Sequence, residues 1–383
     1  MLHEHGHPIP SPNQEILLKA CLLKGEQAIT AFRQWIDKVD FEKDVESGSF
    51  RLLPLLYHNL RNHDVSDDLM PRLRGIYRNS WSKNHILFYK AGKIIQFLES
   101  NGVHTLVMKG IPLSFLTYKN YAIRPMADVD ILIPYSKARS TIELLISENW
   151  NLHDPQYLEH SLKYGRSATF SNAENIELDL HWHPIFEAHG NITEDDFWDH
   201  SVPFSFSGGM TRSFCATDQL FHTIVHGLRY NPEPPVRWVA DAFTLIHDPD
   251  NAIDWERLLL QTKKFKVHLQ VNAGLGYLVD VFHAKVPDQV QNDLAQLKST
   301  FAGRLVYKHA ISCGDKVPQT LRQKLFSVYA GFLRQTSKTG FWGQHIEFSR
   351  YLRFRTRGKP YFKILIYYMS LLFQAKIVRN KTY

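Results

Sequence analysis

The sequence predicts an α+β protein in which a small mixed sheet lies between an N-terminal and a C-terminal helical region. Apolar residues recur at helical spacing from residue 14 to residue 100. Short apolar runs separated by turn residues follow from 101 to about 210, and helical spacing returns after Thr217. With 383 residues, the chain is long enough for two or three packed units.

These changes of pattern divide the chain into five expected segments. They are a loose leader (1–13), an N-terminal helical lobe (14–100), a core that holds the sheet (101–210), a C-terminal helical domain (211–349) and a basic tail with an apolar stretch (350–383). The tail carries nine Lys or Arg residues and no acid. It fits either a terminal helix docked on the core or a basic helix on an anionic membrane or a nucleic acid.

Composition and missing motifs exclude several classes of protein. Hydrophobic residues make up 44% and charged residues 22%, which is ordinary for a globular chain, and the net charge of +7 suits a phosphate-bearing ligand or mere solubility. Three distant cysteines exclude a disulfide framework. The chain lacks the P-loop, dinucleotide-binding and protein-kinase motifs. Because neither a signal peptide nor a long apolar span is present, we expect a cytoplasmic protein, or one peripheral to a membrane through its tail.

A strand that begins with two acids carries the clearest chemical signal. Residues 128–133 read Asp-Val-Asp-Ile-Leu-Ile, so alternation puts Asp128 and Asp130 on one face and Val129, Ile131 and Ile133 on the other. The two carboxylates are about 7 Å apart along the strand. A divalent cation, Mg²⁺ or Mn²⁺, offsets their repulsion and also binds substrate phosphates. A solvated strand edge or two helix-capping aspartates are the alternatives.

A later strand, residues 176–182, alternates in the same way. Its apolar residues share one face, and Glu177, Asp179, His181 and His183 share the other. If this strand lies beside the first with the polar face in common, Asp179 becomes a third carboxylate and a candidate general base. The alternative is the exposed face of an antiparallel strand.

Phosphate contacts are predicted before the acidic strand. Lys109-Gly110 joins a short strand to a helix, and a glycine lets backbone N–H groups approach a phosphate closely. Lys109 adds a full positive charge, and Arg124 is a second candidate. An ordinary strand-to-helix turn and a surface arginine are the alternatives.

In this order the motifs resemble the DNA polymerase β-like nucleotidyltransferase superfamily. They are particularly similar to a poorly characterised family with the pattern Lys-Gly, then Arg-Pro-x-x-Asp-hydrophobic-Asp. The matching residues are Lys109, Gly110, Arg124, Pro125, Asp128 and Asp130. The strand around Asp179 resembles the family's third-carboxylate strand, and 226–229 and 237–241 resemble its C-terminal helices. The resemblance covers most of residues 50–250.

The resemblance implies a polymerase-β-like core, a nucleoside triphosphate such as ATP, and Mg²⁺ or Mn²⁺ held by Asp128, Asp130 and Asp179. The residues implied to contact the nucleotide or its phosphates are Lys109, Gly110, Arg124, His226, Arg229 and Asp241. The wider superfamily usually has Gly-Ser where this chain has Lys109-Gly110, so either Lys109 takes over that phosphate contact or triphosphate binding is weaker. For Arg237 and Asp241, four residues apart, a salt bridge on a helix surface is the alternative.

The predicted activity is metal-dependent transfer of a nucleoside monophosphate to an acceptor, with release of pyrophosphate. A catalytically inactive scaffold of the same fold and a related phosphate or pyrophosphate transferase are the alternatives. The acceptor stays open among a small molecule, a peptide, a protein side chain and an RNA end.

Overall fold

A computed structural model describes residues 8–299, apart from 64, 66, 175, 186–193 and 230–235, and isolated positions between 303 and 352. Its helices are α1 (Pro12–Leu22), α2 (Gly25–Lys38), α3 (Ser47–Phe50), α4 (Leu53–Leu60), α5 (Leu69–Ser100), α6 (Gly110–Pro112), α7 (Ala138–Ser147), α8 (Leu158–Tyr164), α9 (Asp195–Asp199), α10 (Ala216–Gly227), α11 (Trp238–Ile246), α12 (Trp255–Phe265), α13 (His268–Phe282) and α14 (Asp288–Gln296). Its strands are β1 (Leu106–Val107), β2 (Asp128–Leu132), β3 (Asn151–Leu152), β4 (Ser167–Ser171), β5 (Glu177–His181), β6 (Val202–Phe206) and β7 (Gly209–Ser213).

The strands form one mixed sheet in the order β3-β4-β5-β2-β1-β7-β6. β2 runs parallel to β5 and antiparallel to β1, and β1 runs parallel to β7. The other neighbours are antiparallel. The prediction of an α+β fold with a mixed sheet is therefore confirmed, and the acidic strand β2 lies at its centre.

The hairpin of β6 and β7 was not predicted. Pro203 interrupts its pattern, and proline is tolerated in β6 because that strand lies at the edge of the sheet. Ser207 and Gly208 form the turn with φ of 48° and 81°. Positive φ at both central residues is the geometry that favours a two-residue hairpin.

Two apolar cores receive alternate residues of the central strands. Leu106 and Leu132 belong to the first core, which joins α1, α2 and α4 to α10, α11 and α13. Val129 and Ile131 belong to the second core, with α5 and α7. Because neighbouring strand residues point to opposite faces, the second core covers the face of β2 that lies opposite its two acids.

Predicted helix boundaries differ from the observed ones by a few residues. Helical spacing was expected to return after Thr217, but α10 already begins at Ala216, with Cys215 as its N-cap. Asp254 caps α12, since its carboxylate accepts a hydrogen bond from the Arg257 N–H at 2.9 Å. Among the described residues, none of the helices is both long and apolar enough to span a bilayer. The tail from residue 353 lies outside the described residues.

A close contact between α10 and α11 leads to a stability prediction. A Cβ built on Gly227 would lie 2.3 Å from Cγ and 2.4 Å from Cβ of Trp238. The Cβ atom is fixed by the tryptophan backbone and cannot rotate away, and Trp238 is buried. We expect Gly227→Ala to lower the free energy of unfolding by about 1–3 kcal/mol, measured by urea denaturation.

Gly276→Ala in α13 is the matched control, because nothing lies within 4 Å of a Cβ built there. Alanine is the better helix former, so this variant should be more stable by up to about 1 kcal/mol. Equal destabilisation by the two substitutions would contradict the close packing of Gly227 on Trp238.

Candidate active site

The register of two parallel strands brings acids of distant sequence together. Asp130 on β2 pairs with Asp179 on β5, and Asp128 pairs with Glu177. Neighbouring strands are about 4.8 Å apart, and in-register residues share a face. The four acids therefore form one group along the sheet, on the face opposite the second apolar core. We call this group and the adjoining His181 the acidic wall.

Three side chains of the acidic wall could share one metal ion. Ligand atoms of Asp130, Asp179 and His181 all lie within 4.8 Å of one another. His181 Nε2 is 3.1 Å from Oδ1 of Asp130, and the Thr169 hydroxyl donates to Oδ1 of Asp179 at 2.6 Å. Asp128 lies outside this tight group. His181 was not among the predicted ligands, although its position on the polar face of residues 176–182 was visible in the sequence.

The charges in the acidic wall perturb each other. Burial opposes ionisation of Asp130, whose residual exposure is 4%, but Lys109 and His181 outweigh burial and hold its pKa below the usual range. Lys109 Nζ donates to Oδ1 of Asp130. Burial raises the pKa of Asp128, and the negative charge of Asp130 raises it further. Ionisation of Asp128 is therefore unfavourable in the protein alone, and a cation bound nearby would offset this cost.

The donor set of the acidic wall fits a divalent cation. Asp128, Asp130 and Asp179 offer carboxylate oxygens, which suit Mg²⁺ and Mn²⁺, and His181 offers an imidazole nitrogen. Lys109 already neutralises part of the charge of Asp130. A cation bound here would share Asp130 with Lys109 or displace it.

In the strand-to-helix turn before the acidic wall, the residue with the unfavourable backbone conformation is Lys109. Lys109 has φ 56° and ψ −114°, whereas Gly110 has no positive φ. A non-glycine residue seldom adopts such a conformation, and surrounding contacts must stabilise it. The bond to Asp130 is one of them. After Gly110 the predicted helix is confirmed, but it is short, because α6 passes into a π-helical turn over Leu113–Thr117.

Gly110 is favoured for a different reason, because a side chain at this position would have too little space. A Cβ built on it would lie 2.5 Å from Nη1 of Arg124 and 2.4 Å from Sδ of Met126. The glycine therefore allows the Arg124 guanidinium to approach the turn.

Arg124 and Asp241 form a buried ion pair across the first core. Nε and Nη2 of Arg124 donate to the two carboxylate oxygens of Asp241 at 3.0–3.2 Å, and the Tyr118 hydroxyl donates to Oδ1 at 2.9 Å. The surface pair of Asp241 with Arg237, considered from their spacing, is not formed. Arg237 Nη1 instead donates to the carbonyl oxygen of Pro125 at 2.5 Å.

The four acids of the acidic wall line a cleft of about 460 Å³, which is within the range of small-molecule sites. Besides Lys109, the cationic residues that line the cleft are four arginines, namely Arg51, Arg124, Arg229 and Arg237. Burial and repulsion from Arg124 lower the pKa of Arg237 to about 9. Among the described lining residues, the acids other than Asp241 therefore come from β2 and β5, and the cationic side chains come from helices, loops and turns.

Arg51 was not predicted as a site residue. It follows the short helix α3 in the N-terminal lobe, far from the motifs in sequence, and nothing in its local pattern distinguishes it from a surface arginine. Three arginines of the cleft lining, Arg51, Arg229 and Arg237, are called the arginine side below.

Helix α10 supplies a further part of the cleft. Gln219, His222, Thr223 and His226 line it from one face of the helix. The two imidazoles are stacked, with ring centroids 5.6 Å apart. Burial lowers the pKa of His222 to about 3 and that of His226 well below its ordinary value, so both rings are neutral at physiological pH. Neutral rings can accept hydrogen bonds as well as donate them.

Comparisons with known proteins agree with the motifs. A family model described as "Uncharacterised nucleotidyltransferase" matches residues 49–283, more than half of the chain. The chain is also similar to a solved structure, the crystal structure of an antigenic nucleotidyltransferase-like protein from Paracoccidioides brasiliensis. The identity is 14%, the match covers 56% of this chain and 95% of that one, and the TM-score is 0.32. No curated protein matches the chain.

Proposed function

Because this chain belongs to the uncharacterised nucleotidyltransferase family, we propose that it moves a nucleoside monophosphate from a nucleoside triphosphate to an acceptor. The observation that carries the proposal is that the acids of β2 and β5 line the same cleft as four arginines and Lys109. A substrate that has phosphates and arrives with divalent cations matches both sets of charges at once.

In this proposal Asp128, Asp130 and Asp179 hold Mg²⁺ or Mn²⁺. A divalent cation bound there would neutralise charge on the phosphates and help to orient them. Positioning and electrostatic stabilisation supply most of the catalysis in phosphoryl transfer, so these fixed carboxylates need no covalent role.

The arginine side and Lys109 bind the phosphates. Five cationic and five acidic side chains are present among the described residues that line the cleft. Two divalent cations bring roughly as much positive charge as a triphosphate brings negative charge, so the loaded cleft stays close to neutral. His226 and Asp241 were implied by the family resemblance. His226 can contact the nucleotide directly, and Asp241 acts by orienting Arg124.

The proposed transfer is a single displacement at the α-phosphorus of the triphosphate. An acceptor hydroxyl oxygen forms a bond to the α-phosphorus, and the bond from that phosphorus to the oxygen bridging the β-phosphate breaks. Pyrophosphate leaves with the electron pair, and Asp179 takes the hydroxyl proton as general base.

The test is a search for the labelled product. The protein is incubated with each of the four ribonucleoside triphosphates, labelled at the α-phosphate in one reaction and at the γ-phosphate in a parallel one, with Mg²⁺ or Mn²⁺, and with the small molecules and macromolecules of a cell extract. We expect one triphosphate to yield pyrophosphate and a product heavier than its acceptor by the nucleoside monophosphate. A product heavier by phosphate or pyrophosphate alone would establish the related phosphotransferase instead.

One observation favours a non-catalytic scaffold as a second candidate. Lys109 already supplies Asp130 with a cation within the protein, which would stabilise the wall without a metal. This candidate predicts that Mn²⁺ does not bind at the wall. Proposals that involve the basic tail, such as contact with a membrane surface, rest on its charge alone.

A further inference from the structure

A second cavity, of about 290 Å³, adjoins the cleft. Its walls come from Ser213 at the end of β7, Cys215 and Ala216 at the start of α10, the π-helical turn after α6, and the loop after α11. Gln219 lines both this cavity and the cleft. We call it the Gln219 cavity.

Two polar side chains in its wall, Gln219 and Ser213, lack hydrogen-bond partners among the described residues. Gln219 is only 4% exposed, and neither its Oε1 nor its Nε2 has a hydrogen-bond partner among the described residues. The hydroxyl of Ser213, fully buried, has none either. An unsatisfied buried amide or hydroxyl costs about 1–3 kcal/mol, so such groups are expected to bond water or a ligand. Together they offer a donor and acceptor set to a molecule in the cavity.

The lining excludes a charged ligand. Asp250 is the one acidic side chain among the described residues that line the cavity, and it is ion-paired with Lys119. No lysine, arginine or histidine occurs in that described lining. Burial and the charge of nearby Asp218 raise the pKa of the Cys215 thiol, which keeps it neutral. A phosphate or carboxylate would find no counter-charge among these residues, whereas a neutral polar molecule needs none.

The position of the cavity connects it to the chemistry. Gln219 and His222 are three residues apart on α10, so they lie one above the other on the same face. His222 lines the same cleft as Lys109 and Asp130. The Gln219 cavity therefore opens one helical turn from the side chains that adjoin the acidic wall.

We propose that the Gln219 cavity binds the acceptor, and that this acceptor is a neutral, hydroxyl-bearing molecule about the size of a monosaccharide. Its volume of about 290 Å³ is just below the range of about 300–1,000 Å³ for drug-sized ligands, which suits a smaller molecule. Gln219 and Ser213 bond the polar groups of the acceptor, and one of its hydroxyls takes part in the displacement described above. This inference rests on the proposed function for the reaction, but not for the binding.

Binding is tested without nucleotide or metal, so that the result does not depend on catalysis. The probes are glycerol, myo-inositol and D-glucose, with glucose 6-phosphate as the charged counterpart, and dissociation constants are measured by ligand-observed NMR titration. Gln219→Met removes the amide at similar length, and Ala216→Met fills the cavity. Gln289→Met is the matched control, because Gln289 is exposed on α14.

We expect at least one neutral probe to bind the wild type and Gln289→Met equally, and to bind Gln219→Met and Ala216→Met at least about tenfold more weakly, as loss of buried hydrogen bonds implies. Glucose 6-phosphate should bind more weakly than glucose. Ala216→Met should keep the wild-type affinity for the Mg²⁺ complex of the triphosphate.

Three results would overturn the inference. They are no binding of any neutral probe to the wild type, unchanged binding in both cavity variants, and preference for the phosphorylated sugar. If the neutral probes bind as expected but the protein transfers nothing from any triphosphate, the proposed function fails and the acceptor role fails with it. If transfer occurs and the probes do not bind, the inference alone fails.

Discussion

Asp130→Asn is expected to slow nucleotide transfer by about 1,000-fold or more, because catalysis by charge stabilisation depends on fixed charges at the reacting phosphate. Asp130 is central to the acidic wall, since it contacts Lys109 and His181 and is paired with Asp179. Asparagine keeps the shape and part of the hydrogen bonding, so the protein should stay folded. The measurement is the initial rate of pyrophosphate release with Mg²⁺.

Asp199→Asn serves as the control for this prediction. Asp199 ends the short helix α9 and is exposed, away from the cleft lining. Its rate should match the wild type. A rate for Asp130→Asn within about threefold of the wild type would show that the wall carries no essential charge.

Asp241→Asn is expected to lower the free energy of unfolding by about 3–5 kcal/mol, because it leaves the guanidinium of Arg124 buried without its counter-charge. Arg124 is 7% exposed and Asp241 is 3% exposed, so water cannot replace the lost partner. Urea denaturation followed by fluorescence measures the change.

A double substitution separates charge from packing at this pair. Arg124→Met with Asp241→Leu removes both charges and should be more stable than Asp241→Asn alone, since apolar replacement of a buried pair is often neutral. If Asp241→Asn were to cost less than about 1 kcal/mol, the pair would behave as a surface salt bridge. If Asp241→Asn left stability unchanged but abolished nucleotide binding, the role of Asp241 would be direct contact with substrate.

Side-chain alternation made the centre of the site predictable from the sequence. Asp128 and Asp130 needed only the period of a strand to be placed on one face. Asp179 needed one more condition, that its strand lie beside the first in the right register, and the resemblance to a known family supplied the expectation of it. His181 follows from the same period, two residues beyond Asp179.

Long-range pairing was not predictable in the same way. Arg124 and Asp241 are each ordinary in local context, and their ion pair depends on how the loop before β2 packs against α11. The alternative of a pair between residues 237 and 241 was the natural choice from helical spacing. Arg51 enters the cleft because the N-terminal helices share an apolar core with the C-terminal ones, which local pattern does not reveal.

The Gln219 cavity shows a further limit of sequence patterns. Gln219 occupies an unremarkable position in an amphipathic helix, and only the packed structure shows that its amide is buried without a partner. Gly208 marks the turn of the β6–β7 hairpin in the sequence, but Pro203 is unfavourable in most strands. It is tolerated in β6 because this strand lies at the edge of the sheet.

The central claim is that the three carboxylates bind a divalent cation together with a nucleoside triphosphate. Mn²⁺ binding, followed by electron paramagnetic resonance with a non-hydrolysable triphosphate analogue, tests it most directly. We expect the wild type to immobilise Mn²⁺, the analogue to strengthen this binding, and Asp128→Ala with Asp130→Ala to abolish both effects. Equal Mn²⁺ and analogue binding by the wild type and the double variant would contradict it.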